Sequence, residues 1–180
     1  MIKMKQILTS IGLTLSVVGY SQVSIGKNSL TNSDVSLEFA DTENRGLILP
    51  WVTSESDIVN GVDGTVIFDT SDSKVKVLNA GVWQTLIVDS PDLPTGIVDT
   101  SLQKTKDEIA SAKVVIGQTI DPDVDGVLVL SDKNKAMILP KVASPHLNII
   151  NPAPGMIVYD TAAHQVAVFN GQAWSFWAGL

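Results

Sequence analysis

Apolar positions along this chain fall in short runs bounded by turn residues, and few of those runs have helical spacing. Val35, Leu37 and Phe39 alternate with Ser36 and Glu38, the period-two pattern of a half-buried strand. Val127–Leu130 is apolar throughout and reads as a strand buried on both faces. Thr65–Asp69 and Met156–Asp160 are apolar strands, each followed by a turn (Ser71-Asp72-Ser73, Ala162-Ala163-His164) and a returning run (Lys74–Leu78, Gln165–Phe169). Asn79-Ala80-Gly81 and Asn170-Gly171 are hairpin signals, and Val82–Val88 and Ala173–Trp177 complete two three-stranded meanders. Leu47-Ile48-Leu49-Pro50 and Met137-Ile138-Leu139-Pro140 each end in a proline, which cannot donate a ladder bond and so ends a strand or lies on an edge. Ser54–Val59 and Ser144–Ile150 have short helical or turn character. The pattern predicts an all-β fold.

These elements occur twice. Gly64-Thr65-Val66-Ile67-Phe68-Asp69-Thr70 returns as Gly155-Met156-Ile157-Val158-Tyr159-Asp160-Thr161, and Val75-x-Val77-x-Asn79 returns as Val166-x-Val168-x-Asn170, both at an offset of 91 residues. Around the Leu-Pro motif the offset is 90, so the copies differ by a small indel. The organisation predicted is a leader over residues 1–21, a β repeat at 23–88, a linker at 89–113 and a second β repeat at 114–180. In the linker, Ser101–Lys113 is the one helix candidate, with Leu102, Ile109 and Ala112 as a narrow apolar stripe and Thr100 or Ser101 as N-cap. Each repeat is near the lower size limit for a self-sufficient core, and the chain has no cysteine to staple it. Stability then calls for packing on the twin repeat, on identical chains or on a larger protein.

The first residues, Met1-Ile2-Lys3-Met4-Lys5, are basic, and an apolar run from Ile7 to Val18 follows, with small residues at Gly19 and Ser21. That is the layout of a secretory signal peptide cleaved between Ser21 and Gln22. The expected location is the outer-membrane surface or the extracellular medium. Removing Lys3 and Lys5 leaves 10 basic against 19 acidic groups, or −9 with His neutral. That balance, without any Lys/Arg cluster, argues against a nucleic-acid partner. No stretch in the mature chain approaches the length of a transmembrane helix.

The order Asn44-Arg45-Gly46-Leu47-Ile48-Leu49-Pro50, short helix, Asn151-Pro152-Ala153-Pro154-Gly155, Met156–Thr161 and Val166-x-Val168-Phe169-Asn170-Gly171-x-x-Trp174 resembles repeat modules of secreted surface proteins of Bacteroidota and of tail-fibre-like proteins. The first copy departs from it at Asn60-Gly61-Val62-Asp63-Gly64, and Ala136 stands in the second where the first has Gly46. The resemblance covers most of both repeats and not the linker. It implies a β-rich, repetitive, sometimes trimeric extracellular structure without catalytic residues; some surface proteins of that kind belong to adhesin, gliding or type IX secretion assemblies, although the C-terminal sorting domain of that pathway is not evident in this sequence.

Three chemical readings compete with a purely structural one. Asp121, Asp123, Asp125 and Gly126, with Asp132 at the twelfth position, follow the spacing of a calcium loop, although Pro122 stiffens it and no helix pair flanks it. The first repeat lacks these ligands, and a plain acidic turn is the competing account. The paired Phe68-Asp69-Thr70 and Tyr159-Asp160-Thr161 invite comparison with an aspartic-protease dyad, but Ser71 and Ala162 stand where those enzymes have glycine. Asp-Thr before a hairpin also accepts bonds from turn backbone. His146 and His164 have no metal-ligand spacing. Trp83 and Trp174, at equivalent positions, read as meander anchors, whereas Trp51 and Trp177 are unrepeated and read as exposed contacts for a partner or a sugar. Phe176, Trp177 and Leu180 form an apolar tail that needs covering.

The sequence thus predicts a non-enzymatic exported structural or interaction protein, its partners other surface proteins or identical chains, three chains favoured. A carbohydrate- or calcium-binding module is the alternative, and an aspartic-protease-like hydrolase a distant one. If the acidic loop takes calcium, millimolar calcium raises the melting temperature by mass action and Asp123→Asn removes the gain. An unchanged melting curve in calcium and in chelator makes the loop a turn only.

Overall fold

The computed structural model describes residues 22–86, 93–107, 109, 112–117 and 126–177. The leader, Asp121, Asp123, Asp125 and Leu180 lie outside the described residues.

The described chain is almost entirely β. In the first repeat, β1 (Val23–Ile25), β2 (Val35–Phe39), β3 (Leu47–Ile48) and β4 (Trp51–Val52) precede a 3-10 turn at Glu55–Asp57. The meander β5 (Val66–Asp69), β6 (Lys74–Asn79) and β7 (Val82–Thr85) follows. The second repeat gives β8 (Val114–Ile116), β9 (Leu128–Leu130), β10 (Ala136–Ile138), β11 (Lys141–Val142), helix α1 (Pro145–Asn148) and the meander β12 (Met156–Asp160), β13 (Gln165–Phe169), β14 (Trp174–Trp177). Both expected meanders and both short helical stretches are in place. Ser73 and His164 take the same left-handed turn conformation, φ 58° and 54°, 91 residues apart.

The repeats do not, however, stand as two separate sheets. β3 of the first repeat pairs antiparallel with β12 of the second, Leu47 opposite Ile157 and Ile48 opposite Met156. In return, β10 of the second repeat joins β2 of the first in a parallel pair, making the sheet β1-β2-β10. Gly46 runs so close to β12 that a Cβ there would strike Met156 and Val158. Period-two patterning identifies strands but carries no information on which strand is the partner, so this exchange is invisible in the sequence.

The exchange reverses two burial expectations. β2 is central in its sheet, and Val35, Ser36, Leu37 and Glu38 are all buried, not alternately so. Among the described residues β9 pairs only with β8, and Val127 and Leu128 are exposed where burial on both faces was expected. The linker helix is also shorter than expected: among the described residues it is a single 3-10 turn, Gln103–Thr105, with Leu102 and Ile109 exposed. Its stripe has nothing to pack on, and a helix of that length without an apolar anchor is marginal in water.

One core serves both repeats. Leu49, Phe68 and Val75 of the first pack with Ile157 and Val168 of the second, and Leu93 and Val98 of the linker close over them. A smaller cluster of Val142, Ile149, Met156, Val158 and Ala167 lies within the second repeat. The linker is further held by Asn170, whose amide donates to Pro94 O at 2.9 Å, and by Ser73, whose hydroxyl donates to Gly96 O at 3.2 Å.

A shared core means shared cooperativity. Urea denaturation is expected to give one transition reported alike by Trp fluorescence and circular dichroism. Phe68→Ala, emptying a fully buried site, costs about 3–5 kcal/mol and shifts that single transition without splitting it. Two separable transitions would contradict the shared core.

Candidate interaction surface

Each repeat fixes its short helical segment with the aspartate that ends its central strand. Asp69 is buried; its Oδ2 accepts the Glu55 N–H at 3.0 Å and its Oδ1 accepts the Ser71 N–H at 2.9 Å and hydroxyl at 2.6 Å. Lys76 Nζ crosses from β6 to Asp69 at 2.7 Å, with Glu55 at 2.8 Å and Asp72 at 2.9 Å. In the second repeat Pro145 stands where the first has Glu55 and has no N–H to give. Ser144 N–H donates to Asp160 instead at 3.0 Å, joined by Ala162 at 2.9 Å. Burial would raise both carboxyls, but these donors outweigh it: Asp69 falls from 3.8 to about 2, and Asp160 is lowered too. Asp69 lies on the sheet of β4–β7 and Asp160 on that of β11–β14. Each is occupied by its own turn, which is the architecture of two clamps and not of a proton-sharing dyad.

Glu38 is the third buried carboxylate. Lys27 Nζ at 2.7 Å, the Thr31 N–H at 2.7 Å and the Thr31 hydroxyl at 2.6 Å hold it. Burial opposes ionisation there as well, and these bonds still take it from 4.5 to about 2. Asp132, the one described member of the calcium-loop set, is largely buried; its Oδ2 accepts the Ser36 hydroxyl at 2.8 Å and lies 3.6 Å from Lys135 Nζ. It therefore ties β2 to the second repeat.

Trp51 is half-buried, not an outward contact. Its ring lies 6.3 Å from Phe68 and its indole N–H donates to Pro154 O at 2.8 Å, a further link between repeats. Trp174 packs on Phe169 at 5.3 Å, as a meander anchor should. The tail aromatics behave differently. Trp177 is 49% exposed and Phe176 37%, the latter stacked edge-on against His146 at 5.5 Å.

Phe176 and Trp177 flank an apolar cleft of about 110 Å³ between the repeats, whose floor includes Leu86, Leu139, Ile157 and Val166. The hydroxyl of Ser175, also in its lining, is the one buried side-chain polar atom without a partner among the described residues. Leu86, Leu139 and Ile157 could have been singled out from the sequence only by asking which positions the duplication brings face to face. Leu49 and Leu139, Val66 and Ile157, and Val75 and Val166 are such equivalent pairs, and all six line the shared core.

Among the described residues, backbone is left open beside this cleft. The Leu78 N–H bonds Thr65 O, so Thr65 and Ile67 face β6, while Val66 and Phe68 face the other edge. Among the described residues that edge is covered only at Phe68 and Asp69, by β4. On β10, Ala136 N–H donates to Asp34 O, and β2 is the one strand paired with β10 among the described residues, with a register shift between Ala136 and Met137, so the edge of β10 away from β2 has no strand on it.

Residues 115–179 match the family described as the phage tail like trimerisation region. No curated protein and no solved structure matches the chain. The matched stretch covers nearly all of the second repeat and contains every residue lining the cleft except Leu86. Among the described residues no helix is long and apolar enough to cross a membrane.

Asp69 and Glu38 have folded-state values below their unfolded ones, so the stability they add is present above pH 4.5 and lost as pH falls toward about 2. Denaturation midpoints should drop through that window. Lys76→Met leaves Asp69 buried without its main counter-charge and costs about 3–5 kcal/mol at neutral pH. It also narrows the window, because the Asp69 value then rises toward the unfolded one. An acid dependence unchanged by Lys76→Met would show that the cluster does not carry it.

Proposed function

We propose that this protein is an exported structural component of a fibre-like or adhesin-type assembly at the bacterial surface, built by association of identical chains. The observation that carries the reading is the apolar cleft at the repeat junction, lined mostly by the stretch that matches a trimerisation region, with Leu86 of the first repeat completing it. Exposed aromatics beside such a cleft are what an interface core requires, since large rings desolvate much area at small entropic cost. The basic-then-apolar leader and the acidic mature chain favour an extracellular setting. The likeness to surface and tail-fibre repeats points the same way. The carboxylates that could have served hydrolysis hold turns, which favours a structural role.

Sedimentation equilibrium of the mature protein at micromolar concentration is expected to give the mass of three chains. Trp177→Ala, removing an exposed anchor, weakens association by about 2 kcal/mol, roughly thirtyfold, with the melting transition of the single chain preserved. A wild-type protein that stays monomeric throughout would defeat this reading.

A further inference from the structure

The contact between the two repeats is head-to-tail: a motif strand of the first adds to the central meander strand of the second. A heterologous contact of this kind, made once within a chain, leaves an acceptor edge on the first repeat and, on the second, a donor strand β10 that is paired on one edge only, with β2. The acceptor half on the first repeat and the donor half on the second are both identifiable here.

On the acceptor side, Gly155 and Gly64 are equivalent. Gly155 is buried because Phe68 of the other repeat sits on it, and an added Cβ would lie 2.8 Å from the Phe68 ring. Gly155 O also accepts the Leu49 N–H at 3.1 Å. Gly64 is exposed and an added Cβ meets nothing within 4 Å. The place filled at one repeat is vacant at the other, next to the open Val66 edge. On the donor side, Ala136 and Met137 are the equivalents of Gly46 and Leu47, and both are exposed.

We propose that the second repeat of another copy of this chain docks on the first repeat, its Met137–Leu139 segment adding to the Val66 edge as β3 adds to β12. The register follows from the internal contact: Leu47 opposite Ile157 becomes Met137 opposite Val66, and Ile48 opposite Met156 becomes Ile138 opposite Thr65. Two substitutions between the copies match across this junction. Gly46 has no Cβ because Met156 and Val158 fill the space, whereas Ala136 would face their equivalents Thr65 and Ile67, and the exchange of Met156 for the shorter Thr65 is what makes room for a methyl group. Trp51, whose indole donates to the Pro154 backbone carbonyl, is replaced by Lys141, and Pro154 by Asp63, so an ammonium would meet a residue that keeps the carbonyl and adds a carboxylate, one oxygen of which accepts the Gly81 N–H at 3.0 Å. Half-buried Lys141 and exposed Asp63 then make the charge pair of the intermolecular junction. Main-chain bonds supply affinity in such strand addition and side chains supply register.

This surface rests on the self-association proposed above, and the test separates the two. Wild type, Ala136→Trp, Lys141→Glu and Lys141→Glu/Asp63→Lys are compared by sedimentation, with circular dichroism as the control for folding. Ala136→Trp blocks the approach to Thr65, and Lys141→Glu opposes like charges; each is expected to weaken association about tenfold or more. The double variant restores opposite charges and returns the assembly to within about threefold of wild type. A wild type that assembles while both single variants assemble equally well overturns this surface and leaves self-association standing. A double variant no better than Lys141→Glu also overturns it. A monomeric wild type overturns the self-association on which it rests.

Discussion

The pairing of Leu47-Ile48 with Ile157-Met156 is the contact on which the rest of the molecule depends. It carries the first repeat's chain across to the second repeat's meander, and so delivers Leu49, Trp51 and Phe68 to a core they share with Ile157 and Val168. A sheet of four short strands buries one face at most and has little to bury it against. Here two such sheets, related by duplication, present the same positions to each other, and the linker residues Leu93 and Val98 close over them. Neither repeat could keep this core alone, which is how two units near the lower size limit manage without disulfides.

The buried charges serve the same exchange of strands. Ser36 and Glu38 lie on β2, whose neighbours on both sides remove it from solvent, so each needs an internal partner. Glu38 finds Lys27 and Thr31 within its own repeat; Ser36 finds Asp132 in the other. The Asp69 and Asp160 clamps act more locally, fixing where the chain leaves the short helical segment relative to the central strand. That fixes the reach of the Leu-Pro strand, which must arrive in register two or three residues from its proline. One clamp uses a lysine and one does not, yet the backbone path is kept. The clamp's geometry is therefore set by N–H donors, and Lys76 neutralises a charge that Asp160 instead disperses over three backbone groups and Gln165.

Much of this was legible in the sequence. The meanders, the turns at Ser73 and His164 and the short helical stretches follow from runs of period two and turn residues, because those signals are local. The partner of each strand was not legible, since Leu47-Ile48 reads the same whether it pairs within its repeat or across. Charge misled at β2: Glu38 in an alternating run marks a solvent face unless a lysine eleven residues earlier can fold back onto it. Polar spacing misled in the linker, where Leu102 and Ile109 suit a helical stripe but no surface lies beneath them. Trp51 was read as outward because it is unrepeated, yet it is unrepeated for the opposite reason: it spans the junction between repeats.

That last point generalises to where the copies have diverged. Positions that serve each meander internally keep their type, as with Asp69 and Asp160, or Asn79 and Asn170. Several of the chemically large differences fall where one repeat meets the other: Gly46 against Ala136, Trp51 against Lys141, Asp63 against Pro154, Thr65 against Met156. Two identical repeats in contact cannot remain equivalent, because one has its acceptor edge filled and the other does not. The filled edge rewards a large apolar residue such as Met156, nearly fully buried under β3. The open edge faces water in the single chain, and there threonine and aspartate are tolerated where methionine would leave apolar surface uncovered. Divergence along the junction is thus a physical consequence of breaking the symmetry of the duplication, and it leaves a chain whose two ends differ in chemistry while sharing one backbone plan.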